Sequence, residues 1–120
     1  MNISELIGKT LTKVVQMGDE IAFTTDKGEQ YKLYHSQDCC ESVEIEDIAG
    51  DLIDLVGSPI LVAEESVSEN KNPEGVNIPE YQDSFTWTFY KIDTAKGGVT
   101  LRWYGESNGY YSESVYFSKY

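Results

Sequence analysis

The sequence predicts an α+β fold, mainly β: an antiparallel sheet of about seven strands with one short helix near residues 47–56. Three observations carry this. Short β-branched or alternating stretches recur between Gly-, Asn- and Asp-rich turns. The connections are too short for the crossover helices that parallel strands need. Only one stretch, starting near Glu46, spaces its apolar residues as a helix does. With 120 residues, 40% apolar and 25% charged, the chain fits a single domain spanning residues 1–120.

Residues 2–8, ending at Gly8, fit one short helical turn. Thr10–Gln16 alternates and is β-branched; Gly18-Asp19 marks a turn and Glu20–Thr25 a second strand. After Asp26–Glu29, residues Tyr31, Leu33 and His35 share one face of a third strand, giving a three-stranded meander. Val43 and Ile45 alternate with Glu44 and Glu46, as in a strand with one wet face. Beyond Glu46, however, Ile45, Ile48, Ala49, Leu52, Ile53 and Val56 form a helical stripe, with Asp47 as cap, Gly57 as terminator and Pro59 as block. Gly50 inside that stripe costs about 1 kcal/mol relative to alanine, so the helix is expected to be short. Pro59–Val67 reads as a strand, residues 69–83 as a long loop with Pro73, Gly75 and Pro79, and Ser84–Ile92, Val99–Tyr104 and Glu113–Ser118 as closing strands.

Charge is unevenly placed. The formal net charge is −12, and between Gln37 and Gly75 eleven acids face a single base, Lys71. That segment carries −10 and the other 81 residues only −2. Such a field repels nucleic acid and anionic lipid and speeds encounter with a basic partner. No stretch approaches the ~20 apolar residues of a membrane helix, and the start lacks a signal-peptide pattern, so the expectation is a soluble protein that stays in the cytoplasm where it is made. The aromatic residues show the opposite bias: twelve of fifteen lie from Tyr81 onward.

No catalytic set emerges. His35 lies near Cys39, but acidic neighbours favour an inert thiol, and no phosphate loop, nucleophile elbow or zinc-protease motif is present. His35, Asp38, Cys39, Cys40 and Glu41 offer metal donors, yet a structural zinc site needs a second separated ligand pair, and no calcium-loop spacing occurs. We therefore expect no enzyme activity, no metal and no cofactor, with Cys39 and Cys40 as reduced, small structural residues at a turn, one of them facing inward. The aromatic residues of the last third read as core, with Tyr110, Tyr111 and Tyr120 left over for an interface.

The run Tyr34-His35-Ser36-Gln37-Asp38-Cys39-Cys40-Glu41, followed by Glu46-Asp47-Ile48-Ala49-Gly50-Asp51-Leu52, resembles a family of small uncharacterised domains found mainly in bacteriophages and prophages. Trp87, Phe89, Tyr90 and the Leu101–Gly105 strand look like the rest of that family, so the resemblance covers most of the chain. It implies a phage gene product acting in the cytoplasm of a bacterial host, and it implies no activity. Small acidic phage proteins are similar in size and charge to inhibitors, anti-CRISPR proteins among them, that mimic nucleic acid on a host defence protein.

The functional expectation is accordingly a non-enzymatic acidic binding protein. Glu44, Glu46, Asp47, Asp51, Asp54, Glu64 and Glu65, on the helix and its adjoining loop, would pair with the basic surface of a bacterial protein, such as a nucleic-acid-binding defence protein. The alternative is a small-ligand binder that sequesters a nucleotide signal, with the aromatic residues of 85–104 stacking the base and Arg102 or Lys91 pairing with phosphate.

Overall fold

The alternation read from the N-terminal third produces three antiparallel strands, β1 (Leu11–Met17), β2 (Glu20–Thr25) and β3 (Gln30–Tyr34), in a computed structural model that describes residues 1–75 and 82–120. Ile21, Phe23, Tyr31 and Leu33 point to the buried side. The meander gains a fourth strand from the far end of the chain, where Tyr116–Lys119 pairs with β3 and packs Phe117 against the Tyr31 ring at 5.4 Å. Before β1, a 3₁₀ turn at Ile3–Leu6 is capped by the Asn2 side chain, and it buries Ile3 and Leu6.

The second sheet is built from β4 (Ser42–Ala49), β5 (Val62–Glu69), β6 (Ser84–Thr94) and β7 (Gly97–Ser107), in the order β4-β7-β6-β5; Tyr116–Lys119 is β8, and the first sheet runs β1-β2-β3-β8. The described residues thus form eight strands in two antiparallel sheets of four, where the sequence predicted about seven in a single sheet. β6 and β7 make a long hairpin whose register closes at Thr94 and Gly97, tighter than the predicted turn. The two sheets face each other across one core, with Leu11, Phe23 and Leu33 on one side and Tyr90, Ile92, Leu101 and Trp103 on the other. Each large side chain removed from water there contributes roughly 1.5–3 kcal/mol. Among the described residues Trp103 Nε1 is the buried side-chain polar atom with no hydrogen-bond partner.

The predicted helix over 47–56 is not formed. β4 continues to Ala49, and the helical geometry in this stretch is confined to a 3₁₀ turn at Leu52–Leu55, capped by Asp51. The reason lies in a register shift between Ile45 and Asp47, a bulge that places Ile45 and then Ile48 against the core three residues apart. A bulged strand followed by a 3₁₀ turn, which repeats every three residues, reproduces the apolar spacing of a helix. Gly50 sits at the strand end with φ 105°, against Gly98 O of the neighbouring hairpin.

The expected loop 69–83 includes residues 76–81, Pro79 and Tyr81 among them, which lie outside the described residues. Its described flanks fold over the outer face of the second sheet, where Asn72 and Gln82 exchange amide hydrogen bonds of 3.0 and 3.1 Å. On the inner face, the chain before β8 lies directly on β7: a side chain at Gly105 would stand 2.7 Å from Glu113 O.

Candidate functional site

The seven acids singled out from the sequence separate into three places. Glu44, Glu46 and Asp47 lie on β4, Asp51 and Asp54 flank or enter the 3₁₀ turn, and Glu64 and Glu65 lie on β5. All are exposed except Asp54, which is half-buried beside Gly97. Their expected carrier, a helix and adjoining loop, is replaced by the two edge strands of one sheet. Three strand spacings separate those edges, about 14–15 Å.

Neighbours modify each row. Arg102 on β7 projects toward β4, where Nε donates to Glu46 and Nη2 lies 3.9 Å from Asp47. The Glu46 bond keeps Arg102 more firmly protonated than usual, against a smaller opposing effect of desolvation. On β5, Glu64 stands opposite Lys91, while Glu65 faces the inner side and accepts the Tyr90 hydroxyl at 2.7 Å. Burial, helped by the Glu65 carboxylate, pushes the Tyr90 phenol far above its ordinary range, so it stays a donor.

The Gln37–Glu41 turn is organised by Glu41, one of the counted acids, which is buried rather than presented. Its carboxylate accepts the N–H groups of Asp38 and Cys39 at 3.0 and 2.9 Å and the Gln37 amide at 3.2 Å. His35 Nε2 lies 2.8 Å from the same carboxylate, and Nδ1 lies 2.6 Å from Ser114 O. Both partners are acceptors, so the arrangement is fully satisfied when the ring donates from both nitrogens. Burial alone would raise the Glu41 pKa; the Cys39 N–H, the His35 ring and the Asp38 N–H, all donating to it, hold it down at about 2. Cys39 and Cys40 depart from expectation in two respects: both are exposed, and they are joined in a vicinal disulfide instead of standing as reduced thiols. Neither faces inward, because the turn is held from inside by Glu41.

The aromatic residues of β6 and β7 divide between two faces. Tyr90 and Trp103 point into the sandwich, whereas Phe85, Trp87, Phe89 and Tyr104 form a second cluster on the outer face. Trp87 is only 1% exposed there: its Nε1 donates to Asn72, the Arg102 guanidinium lies 5.7 Å from its ring centre, and Tyr104 packs at 4.6 Å. A base seeking this face would meet covered rings and an arginine already paired. Of the three surplus tyrosines, Tyr110 and Tyr120 are exposed, whereas Tyr111 is half-buried with its ring edge-on to Tyr110 at 5.0 Å.

Three shallow clefts mark the surface. One of ≈ 240 Å³ borders Cys40, Asp83 and Glu106; one of ≈ 150 Å³ lies on the outer face of the first sheet around Val15, Ala22 and Tyr120; and one of ≈ 130 Å³ lies between β5, β6 and Val115. Among the described residues no three His, Cys, Asp or Glu side chains converge as a metal site would require, and no helix is long and apolar enough to cross a membrane. The features missed in the sequence, Glu41 as an organiser and the Asn72–Gln82 cover, depend on loop geometry and leave no periodic signal.

Comparison with curated proteins and with solved structures yields no match. A family model described as a domain of unknown function (DUF7448) matches residues 4–117, nearly the whole chain, and the protein belongs to that family.

Proposed function

We propose that the protein is a non-enzymatic acidic binding protein, phage-encoded, that presents β4, the Asp51–Leu55 turn and β5 to the basic surface of a bacterial protein in the host cytoplasm. The single observation that carries this is the segregation of charge. Residues 37–75 hold −10 of the net −12, and six of their carboxylates, on Glu44, Glu46, Asp47, Glu64, Glu65 and Glu69, lie on the two opposite edge strands of one sheet. Rows about 14–15 Å apart are on the scale of the phosphate rows bordering a duplex major groove, about 12 Å wide. This supports occupation of a nucleic-acid channel, such as that of a defence nuclease, by carboxylates in place of phosphates. The phage context rests on the resemblance described above.

The test is affinity capture from a bacterial lysate at low and high salt, with nucleic acid as competitor. A basic protein retained at low salt, released at high salt and displaced by nucleic acid is expected, because the screening length between exposed charges falls from about 30 Å at 0.01 M to about 3 Å at 1 M salt. Charge reversal at Glu44, Asp47 and Glu64 together should abolish capture. Failure to retain any basic protein at low salt, or retention indifferent to salt, refutes the proposal.

A further inference from the structure

We infer that Asn108 is a self-modifying site, where the side-chain amide is lost through a succinimide and an aspartyl or isoaspartyl residue takes its place. Of the five asparagines in the sequence only Asn108 precedes a glycine; the others are followed by Ile3, Lys71, Pro73 and Ile78. A side chain on the following residue hinders approach to its backbone nitrogen, and glycine has none. Asn108 is exposed at the end of β7, and Gly109 has a φ of 91°. A side chain at Gly109 would meet only Ser84 Cβ, at 4.0 Å, so little crowds this peptide from outside.

The hydrogen bonds around this peptide serve the reaction from two sides. Asn108 Oδ1 accepts the Tyr110 N–H at 3.1 Å, forming an Asx turn. The ring closed by that bond contains both Asn108 Cγ and the Gly109 nitrogen, the two atoms the reaction joins. The Tyr110 N–H also points at the oxygen on which negative charge grows during attack, as an oxyanion-hole donor does. On the other side, the Gly109 N–H donates to Ser107 Oγ at 3.0 Å, and that hydroxyl donates to the Glu113 carboxylate. Ser107 is 9% exposed, and Glu113 is fixed by a second donor, the Thr86 hydroxyl at 2.8 Å. The Gly109 proton therefore has a continuous path to a carboxylate, the arrangement of a general base acting through a hydroxyl. As the relay draws off this proton, the Gly109 nitrogen attacks Asn108 Cγ. The N–Cγ bond forms, the Cγ–Nδ2 bond breaks, and Nδ2 takes up the proton and leaves as ammonia. Solvent water then opens the imide at either carbonyl, giving aspartate or diverting the chain through the side-chain carboxyl. Ser107, which touches the reacting nitrogen, is the catalytic residue; Glu113 acts through it as a positioning residue. The new carboxylate joins Asp83 and Glu106 on the wall of the ≈ 240 Å³ cleft beside Cys40.

This goes beyond the proposed function, since it is a single event within the chain and needs no partner. The full chain is incubated at neutral pH, once folded and once unfolded in urea. Isoelectric focusing follows the gain of negative charge, with Asn108→Asp as the reference, and peptide mapping locates it. The folded chain is expected to convert at Asn108 about a hundredfold faster than the unfolded one, the lower end of what a positioned proton acceptor contributes. Ser107→Ala and Glu113→Gln, each checked by circular dichroism for retention of the fold, should bring the folded rate down to the unfolded one. The pH profile separates the relay from a merely structural role. With the carboxylate as base the folded rate should stay level from about pH 6 to 8, whereas in Glu113→Gln it should climb in proportion to hydroxide. A folded chain that converts no faster than the unfolded one, or a Ser107→Ala rate equal to the parent's, overturns the assignment, and the comparison of folded with unfolded parent needs no variant to fold.

Discussion

Gly50→Ala distinguishes a helix over 47–56 from the bulged strand by the sign of its effect. In a helix the substitution would stabilise by about 1 kcal/mol, since alanine is the better helix former. At the end of β4 it should do the reverse. The φ of 105° lies where L side chains are strained, at a cost of about 1–3 kcal/mol. The new Cβ would also stand 2.5 Å from Gly98 O, a backbone atom that moves only with the β6–β7 hairpin, and relieving such overpacking costs about 1–3 kcal/mol more. The total is about 2–6 kcal/mol, which for a chain of this length lowers Tm by roughly 8–24 °C. Gly28→Ala is the control: φ is 80°, but nothing lies within 4 Å, so only the strain of a left-handed residue, about 1–2 kcal/mol, should appear. Urea titration and calorimetry on both variants give the answer. A Gly50→Ala protein as stable as its parent, or more so, refutes the reasoning.

Further outcomes follow from individual contacts. Glu41 and Glu29 both have carboxyl pKa values lowered to about 2, Glu29 by its bonds to Lys9 and Lys119, so the stability they confer is complete above about pH 4.5 and is lost as pH falls toward 2; urea midpoints measured across this window should fall with acid, and Glu41→Gln with Glu29→Gln should flatten the slope. Tyr90→Phe removes a hydrogen bond to a carboxylate that water can rehydrate, so a loss of about 1 kcal/mol is expected. A double-mutant cycle with Glu65→Gln should show coupling of at least about 0.5 kcal/mol, and additive effects would mean that the contact is not made in solution. Replacing Cys39 and Cys40 with serine should shift stability by no more than about 0.5 kcal/mol, because both are exposed; a larger loss in thermal melts would assign them a structural role.

The N-terminal meander was legible because Ile21, Phe23, Tyr31 and Leu33 alternate without interruption between clear turn residues. The middle was misread for a physical reason: one inserted residue at the Ile45–Asp47 bulge changes a two-residue repeat into a three-residue step. Alternation along β6 puts Phe85, Trp87 and Phe89 on one face, but it could not say that the sandwich core lies under Tyr90 and Ile92 and that distant loop residues cover the aromatic side. The same limit applies to the acids. That Glu44 and Glu64 would be exposed follows from alternation, whereas the burial of Glu41 follows from four donors that only the folded turn assembles.

The pairing of β8 with β3 also governs how quickly the molecule can form. Tyr31 meets Lys119 across roughly ninety residues of intervening chain, a closure whose entropic cost must be met before any contact in that ladder is gained. The second sheet can grow outward from the local β6–β7 hairpin, but the first remains three-stranded until that distant segment arrives. Topologies dominated by such long separations fold in milliseconds to seconds rather than microseconds. During that interval the edge of β3 and the apolar surface that Phe117 later covers stand open, making this the stage at which the chain is most exposed to aggregation and to proteases.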